Sequence, residues 1–249
     1  MAGDGLTAAA ILAQLRAAGT PSKAATLARF FKTGPGQYGE GDRFLGVMVP
    51  EQRRLAKAHR DLPSADVAKL LASPFHEARL TGFLVLTCAY ERAAPGRRQE
   101  LYDFTLEHRA AMNNWDLVDV IAPKIIGEHL RPRPAPRKSL HRFARSADLW
   151  ERRLAVVSTL AFLRDGDCAD TLAICETLRA DEHDLIHKAS GWLLREAGKR
   201  DPAALRGFLA AYAPELPRTM LRYAIERLPE AERRRWLACG RLRARPSPR

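Results

Sequence analysis

Apolar residues recur every three to four positions along almost the whole chain, and nowhere do they alternate with polar ones over the length of a strand. A chain patterned this way can bury its apolar surface only as packed helices, so the pattern predicts an all-α protein. The period breaks at "TGPGQYGEGD", "DLPS", "SPF", "APGR", "RPRPAPR", "RDGD" and "APELPR", where Gly, Pro and Asp interrupt it and loops are expected. Helices should cover most of the rest.

An internal echo refines the expectation. "HEARL" at 76–80 and "WERRL" at 150–154 lie 74 residues apart, and the steps from Trp115 to Arg153 and from Arg153 to Trp192 are 38 and 39 residues. Two units of about 37 residues suit paired-helix repeats of the HEAT kind, slightly shorter than the usual length of about 40 to 47. The expected architecture is a HEAT-like helical-repeat solenoid, an α-α superhelix whose concave face is basic. Residues 1–240 are read as a single domain, and the tail 241–249, "RLRARPSPR", as basic and disordered.

Charge then narrows the partners. The chain carries a formal net charge of +12, with 41 basic residues of which only eight are Lys and 33 are Arg. Arg matches phosphate with a forked set of donors, and a basic chain without a strongly amphipathic basic helix points to nucleic acid before membrane. A coding bias toward Ala and Arg is the competing source of that charge. An apolar content of 46% excludes a disordered chain, and no run of about 18 apolar residues is present to span a membrane. The N-terminus lacks a signal-peptide pattern and reads as a first helix, so a cytoplasmic protein is expected. Cys88, Cys168, Cys175 and Cys239 are scattered without a C-x-x-C, as reduced structural cysteines are.

Four positions on three helices stand out. In "NNWDLVDVIAPK" a wheel of about 100° per residue puts Leu117, Val118, Ile121 and Ile125 on the core stripe and Trp115 with Asp119 on another face, which Ala122 and Ile126 extend. Asn114 is the expected N-cap, and Pro123, which cannot donate to the Asp119 carbonyl, should kink the helix. In "LWERRLAVVSTLA" the stripe is Trp150, Leu154, Val157 and Ala161; Arg153 flanks it and Arg152 points away. In "DLIHKASGWLLREAGK" the stripe is Ile186, Ala189 and Leu193, with Trp192 to one side between Lys188 and Arg195, an aromatic between two cations that suits nucleic acid. Taken singly, each Trp reads as a helix-packing aromatic before a nucleic-acid contact, and Asp119 reads equally as a solvated or ion-paired acid.

"FLGVMVPEQRRLAK", "NNWDLVDVIAP", "WERRLAVVSTL" and, most specifically, "HKASGWLLREAGKRDP" resemble the DNA alkylation repair family of the AlkD type, the HEAT-like-repeat DNA glycosylases. The resemblance runs in order from about residue 20 to 238. It implies a monofunctional glycosylase that removes cationic N3- or N7-alkylated purines from double-stranded DNA as a monomer, with no cofactor and no metal. The W-x-x-x-D pair falls on Trp115 and Asp119, the second Arg of W-x-R-R on Arg153, and the Trp of K-A-x-G-W on Trp192. These are the expected catalytic residues, and Lys188, Arg195 and Arg153 the expected DNA contacts. The chain has "NNWD" where some relatives carry a second aromatic before the Trp, which leaves the shape of the aromatic surface open.

Breaking the sugar–base bond builds positive charge on the deoxyribose, so an anion such as Asp119 and the π-faces of Trp115 and Trp192 suit that chemistry, while Arg153 would hold a flanking phosphate. The rival readings are a non-catalytic HEAT-like scaffold that binds DNA or protein, and a lyase acting through Lys124 or Lys188. The Gly-rich stretch 33–42 is not a P-loop because no G-K-[ST] follows; it reads as a loop leading to a helix that starts near Pro50. His183 and His187 stand four apart as metal ligands can, but no third ligand is evident. "RPRPAPRKS" reads as a flexible basic loop able to touch a DNA backbone.

Overall fold

A computed structural model of the chain describes residues 6–239, so the tail 241–249 lies outside the described residues. The described residues are all-α, as the apolar period requires; their one extended feature is an isolated bridge between Arg43 and Phe75. The chain divides after Ile121 into two compact units.

The first unit holds α1 (Ala8–Ala18), α2 (Pro21–Phe30), α3 (Val49–Ala58), α4 (Ser64–Leu71), α5 (His76–Arg92), α6 (Pro95–Glu107) and α7 (Trp115–Ile121). Thr7 caps α1 by accepting from the Ala10 amide at 3.2 Å, and α2, α3 and α6 each begin with Pro in the first turn, where its missing N–H costs nothing. α5 is the central element: α1, α3, α4, α6 and α7 all pack on it, and it is buried without a break from His76 to Thr87. A helix covered on every side shows no stripe, which is why "HEARLTGFLVLT" reads as a mixture of polar and apolar residues. Between α2 and α3 the chain turns at Gly46, whose φ is 85°; a Cβ there would stand 2.2 Å from the Thr20 carbonyl oxygen. Only Gly admits both that backbone conformation and that approach.

The second unit holds α8 (Glu128–Leu130), α9 (Lys138–Phe143), α10 (Leu149–Ser158), α11 (Ala169–Thr177), α12 (Asp184–Arg200), α13 (Pro202–Tyr212), α14 (Arg218–Ala224) and α15 (Glu230–Cys239). Here α12 has the central place that α5 has in the first unit, with α10, α11, α13 and α14 packed on it. Ile186, Ala189 and Leu193 form its buried stripe as the wheel places them. The closest approach is to α14, at Gly191 of the "KASGW" motif: a Cβ there would lie 2.5 Å from the Met220 carbonyl oxygen and 2.5 Å from the Tyr223 Cβ. Gly191 therefore sets how near α14 can come.

The basic loop after α8, read as flexible, is tied to its own unit by ion pairs. Arg137 donates to Asp167 at 2.6 Å, to Asp170 at 3.0 Å and to the Leu130 and Arg131 carbonyls, and its guanidinium lies 4.0 Å from the centre of the Phe162 ring. Arg131 pairs with Asp165 at 2.9 Å. Two of its cations are thus committed to carboxylates of the same unit. His183 and His187 also have local work: the His183 ring accepts from the Leu185 amide at 3.1 Å as the N-cap of α12, and His187 bonds the Asp181 carbonyl.

Gly191→Ala should destabilise the protein by about 1 to 3 kcal/mol, because two backbones must separate to admit one methyl group. Chemical denaturation checks this, and a variant as stable as the parent would show that the α12–α14 approach is not tight.

Candidate functional site

One group of the expected site residues lies at the start of α7. Asn114, fully buried, ends the preceding loop; its side chain accepts from the Trp115 amide at 2.8 Å and its carbonyl from Val118 at 3.2 Å, so it is the N-cap that the sequence suggests. Trp115 and Asp119 are both half-buried and one turn apart on α7. Leu117, Val118, Ile121 and Ile125 are buried, as expected. Ala122 and Ile126 are fully buried too, so they do not extend a shallow surface beside Asp119. The kink expected at Pro123 takes the form of a π-helical turn, Ala122–Gly127, which widens the backbone where Pro123 leaves the Asp119 carbonyl without its donor.

The aromatic surface beside Trp115 comes from a distant part of the chain. Phe31 stacks on the Trp115 ring at 5.4 Å, and Phe30 meets its edge at 6.0 Å while remaining 61% exposed. These two residues, rather than a neighbour in the chain, form the aromatic surface beside Trp115. Phe31 in turn stacks on Phe44 at 5.2 Å, and both rings lie against His76, at 5.0 and 4.7 Å.

His76 is 2% exposed and has a carboxylate at each ring nitrogen: Asp42 at 3.0 Å from Nδ1 and Asp116 at 2.8 Å from Nε2. Arg79, one turn along α5, reaches the same Asp42 and also bonds Asn113 at 3.0 Å. Burial works against a charged imidazole, but the hydrogen bonds and charges of Asp116 and Asp42 outweigh it and push the His76 pKa up to about 9. For Asp42, burial acts to raise the pKa, and His76 with Arg79 overcomes it and holds the carboxyl below its usual value. At neutral pH this is an imidazolium donating to two carboxylates. The neighbouring Glu77 is buried as well, accepting from the amides of Leu45, Gly46 and Val47 at 2.8 to 3.2 Å and so fixing the turn before α3. Sequence reasoning missed Phe30, Phe31, Asp42, His76 and Asp116; the paired aromatics at 30–31 and the three charges of "HEAR" were the available signals.

A second group of the expected residues lies on α10 and α12, which pack together in the second unit. Arg153 is 5% exposed, and its Nη1 donates to the Leu185 carbonyl at 2.6 Å, so α10 holds the first turn of α12. Packing does hold Arg153 in place, as its wheel position implies. Arg152 lies on a different face yet is engaged: it pairs with Asp181 at 2.6 Å and donates to the Ser146 and Ala147 carbonyls. Trp150 is half-buried rather than core. On α12, Trp192 is half-buried, Lys188 pairs with Asp184 at 2.7 Å, and Arg195 pairs with Glu196 at 3.3 Å and with Glu226. Both cations beside Trp192 therefore have carboxylate partners that a phosphate would have to displace or share.

A strongly basic all-α chain of short helices packed around one central helix in each unit belongs to the helical-repeat class of proteins. More particularly, it belongs to the DNA alkylation repair enzyme family, whose model matches residues 11–228. A solved structure described as a predicted DNA alkylation repair enzyme from Enterococcus faecalis has the same fold: TM-score 0.66 at 18% identity, over 85% of this chain and 97% of that one. No curated protein matches the sequence. The family makes DNA the substrate and alkylation damage the occasion. No helix among the described residues is long and apolar enough to cross a membrane.

The raised pKa of His76 has a sign that can be checked. A base held more tightly protonated in the folded chain stabilises it fully below its unfolded pKa of 6.5 and loses that contribution as pH rises through about 9. The difference corresponds to about 3 kcal/mol. Urea midpoints should therefore fall between about pH 7 and 10 in the parent and fall much less in His76→Gln; parallel curves would remove the charge from His76.

Proposed function

We propose that this protein is a DNA glycosylase of the AlkD type, hydrolysing the N-glycosidic bond of cationic N3- or N7-alkylated purines in duplex DNA. The observation that carries the reading is the pair Trp115 and Asp119: in a DNA alkylation repair enzyme, a carboxylate stands one turn from an aromatic whose ring is backed by Phe31. Loss of the base leaves an oxocarbenium-like sugar, and a fixed anion stabilises that charge more than it stabilises the ground state. Asp119 serves as that anion and aligns or deprotonates the attacking water.

The π-faces of Trp115 and Trp192 favour the same developing cation, and Phe30 extends the aromatic surface at the edge of Trp115. Arg153 acts through a guanidinium whose orientation is already set by the Leu185 carbonyl, so little entropy is lost in holding a phosphate beside the reacting sugar. Lys188 and Arg195 add phosphate contacts by exchanging their carboxylate partners. Neither a cofactor nor a second subunit is required by this chemistry, and water is the only co-substrate.

Asp119→Asn keeps the volume and removes the charge. Base release from DNA containing 7-methylguanine should fall by a factor of about 100 to 1,000, corresponding to about 3 to 4 kcal/mol of transition-state stabilisation, with DNA affinity nearly unchanged. Full activity in this variant would exclude Asp119 from the mechanism. DNA binding by the parent without any base release would instead identify a non-catalytic scaffold.

Lesion choice follows from the groups proposed to act. Asp119 must remain ionised, and Trp115, Trp192 and Arg153 provide no general acid, so the leaving base must carry its own positive charge. On one duplex sequence, 7-methylguanine and a bulkier N7 adduct should both be released much faster than hypoxanthine, which is neutral. Efficient release of hypoxanthine would require a base pocket with an acid and would overturn the mechanism.

A further inference from the structure

The aromatic surface and the carboxylate on α7 share one buried support. Asp116, next to Trp115 in the first turn of α7, bonds Nε2 of His76 at 2.8 Å; Asp42, at the end of the Gly-rich loop, bonds Nδ1 at 3.0 Å. The same imidazole lies under Phe31, the ring on which Trp115 stacks. Arg79 extends the network from Asp42 to Asn113, two residues before Trp115. From this we infer that His76 is a positioning residue for the reaction: as a doubly protonated bridge between Asp42 and Asp116 it sets the first turn of α7 and the Trp115 ring, and so places Asp119 one turn on.

The charge state is what makes the bridge work. Both carboxylates only accept, so an imidazole with one N–H would turn a lone pair toward one of them. The groups facing the ring are Asp42 from the loop, Asp116 from α7, Arg79 from its own helix through Asp42, and the faces of Phe31 and Phe44. Glu77 is turned to the amides of Leu45, Gly46 and Val47, and Arg43, whose carbonyl accepts from the His76 amide at 2.8 Å, lays its guanidinium over Phe75. Neither supplies a replacement proton. Deprotonation of His76 should therefore loosen the start of α7 without touching substrate, and turnover should acquire an alkaline limit.

The inference rests on the glycosylase reading for its effect on turnover but not for its effect on Trp115, and the experiment separates the two. His76→Gln puts an amide oxygen against one carboxylate; adding Asp116→Asn restores a donor there, so the double variant matches donors to acceptors again with no charge on either new side chain. Single-turnover release of 7-methylguanine by His76→Gln should fall about tenfold or more with DNA affinity within about threefold, since a displacement of about 1 Å can cost about a hundredfold in rate. The double variant should recover most of the rate. Relative to the double variant, the parent should lose rate above about pH 9, a ratio in which the substrate's own pH behaviour cancels.

A role in stability alone would lower the melting temperature while leaving the rate, measured well below it, unchanged; that result would overturn the inference. If the parent releases no base, the glycosylase reading fails, and the indole N–H resonance of Trp115 decides the remaining question. It should shift in the parent as pH rises through about 9, and a resonance that stays fixed through that range while His76 titrates would refute the positioning role even if His76→Gln does not fold.

Discussion

Every helix leaves the carbonyls of its last turn without a partner, and a protein made of short helices has many such ends to satisfy. In this chain Arg closes several of them. Arg79 donates to the Ser73 carbonyl just beyond α4 at 2.9 Å, Arg145 to His141 at 2.9 Å, Arg179 to Glu176 at 2.8 Å and Arg218 to Leu237 at 2.9 Å. A guanidinium carries five donors on a long stem, so one side chain can satisfy a carbonyl and a carboxylate at once. The excess of Arg over Lys is thus partly a requirement of the fold. The remainder of the positive charge is available to DNA, and the two uses cannot be separated from composition.

Equivalent residues in the internal echo show how one structural solution acquires two uses. Arg79 of "HEARL" and Arg153 of "WERRL" stand at the same place in their helices and are both buried. Arg79 is paired with Asp42 and bonded to Asn113 and the Ser73 carbonyl, all within the first unit. Arg153 fixes the opening turn of the helix that carries Trp192. A buried cation of this kind is stable only when most of its donors are occupied, and the same constraint makes it rigid. Rigidity of that kind is what the phosphate contact proposed for Arg153 would require.

The sequence displayed well whatever depends on neighbours along a helix. The all-α class, the loops at Gly and Pro, the N-cap at Asn114, the buried stripes of α7 and α12 and the fixed orientation of Arg153 all follow from period and local chemistry. Hidden from it was whatever depends on contacts between distant segments. Phe31 and Trp115 are 84 positions apart, and no rule of spacing joins them. His76, Asp42 and Asp116 are not distinguished in the sequence, because a charge pattern does not reveal its own burial. The acidic partners of the basic loop at 131–139, at 165, 167 and 170, are equally remote in sequence.

Asp116 and Asp119 are carboxylates three positions apart on α7, the first in its opening turn and the second one turn on. Asp116 is given a cation, His76, at hydrogen-bonding distance, so a second cation approaching it gains little. The π turn at Pro123 begins immediately beyond Asp119, because Pro123 has no N–H to give to the Asp119 carbonyl in the ordinary helical pattern. The charge that the first unit takes out of water is matched within one cluster, His76 and Arg79 against Asp42 and Asp116, and a buried ion is tolerated only where such partners meet it.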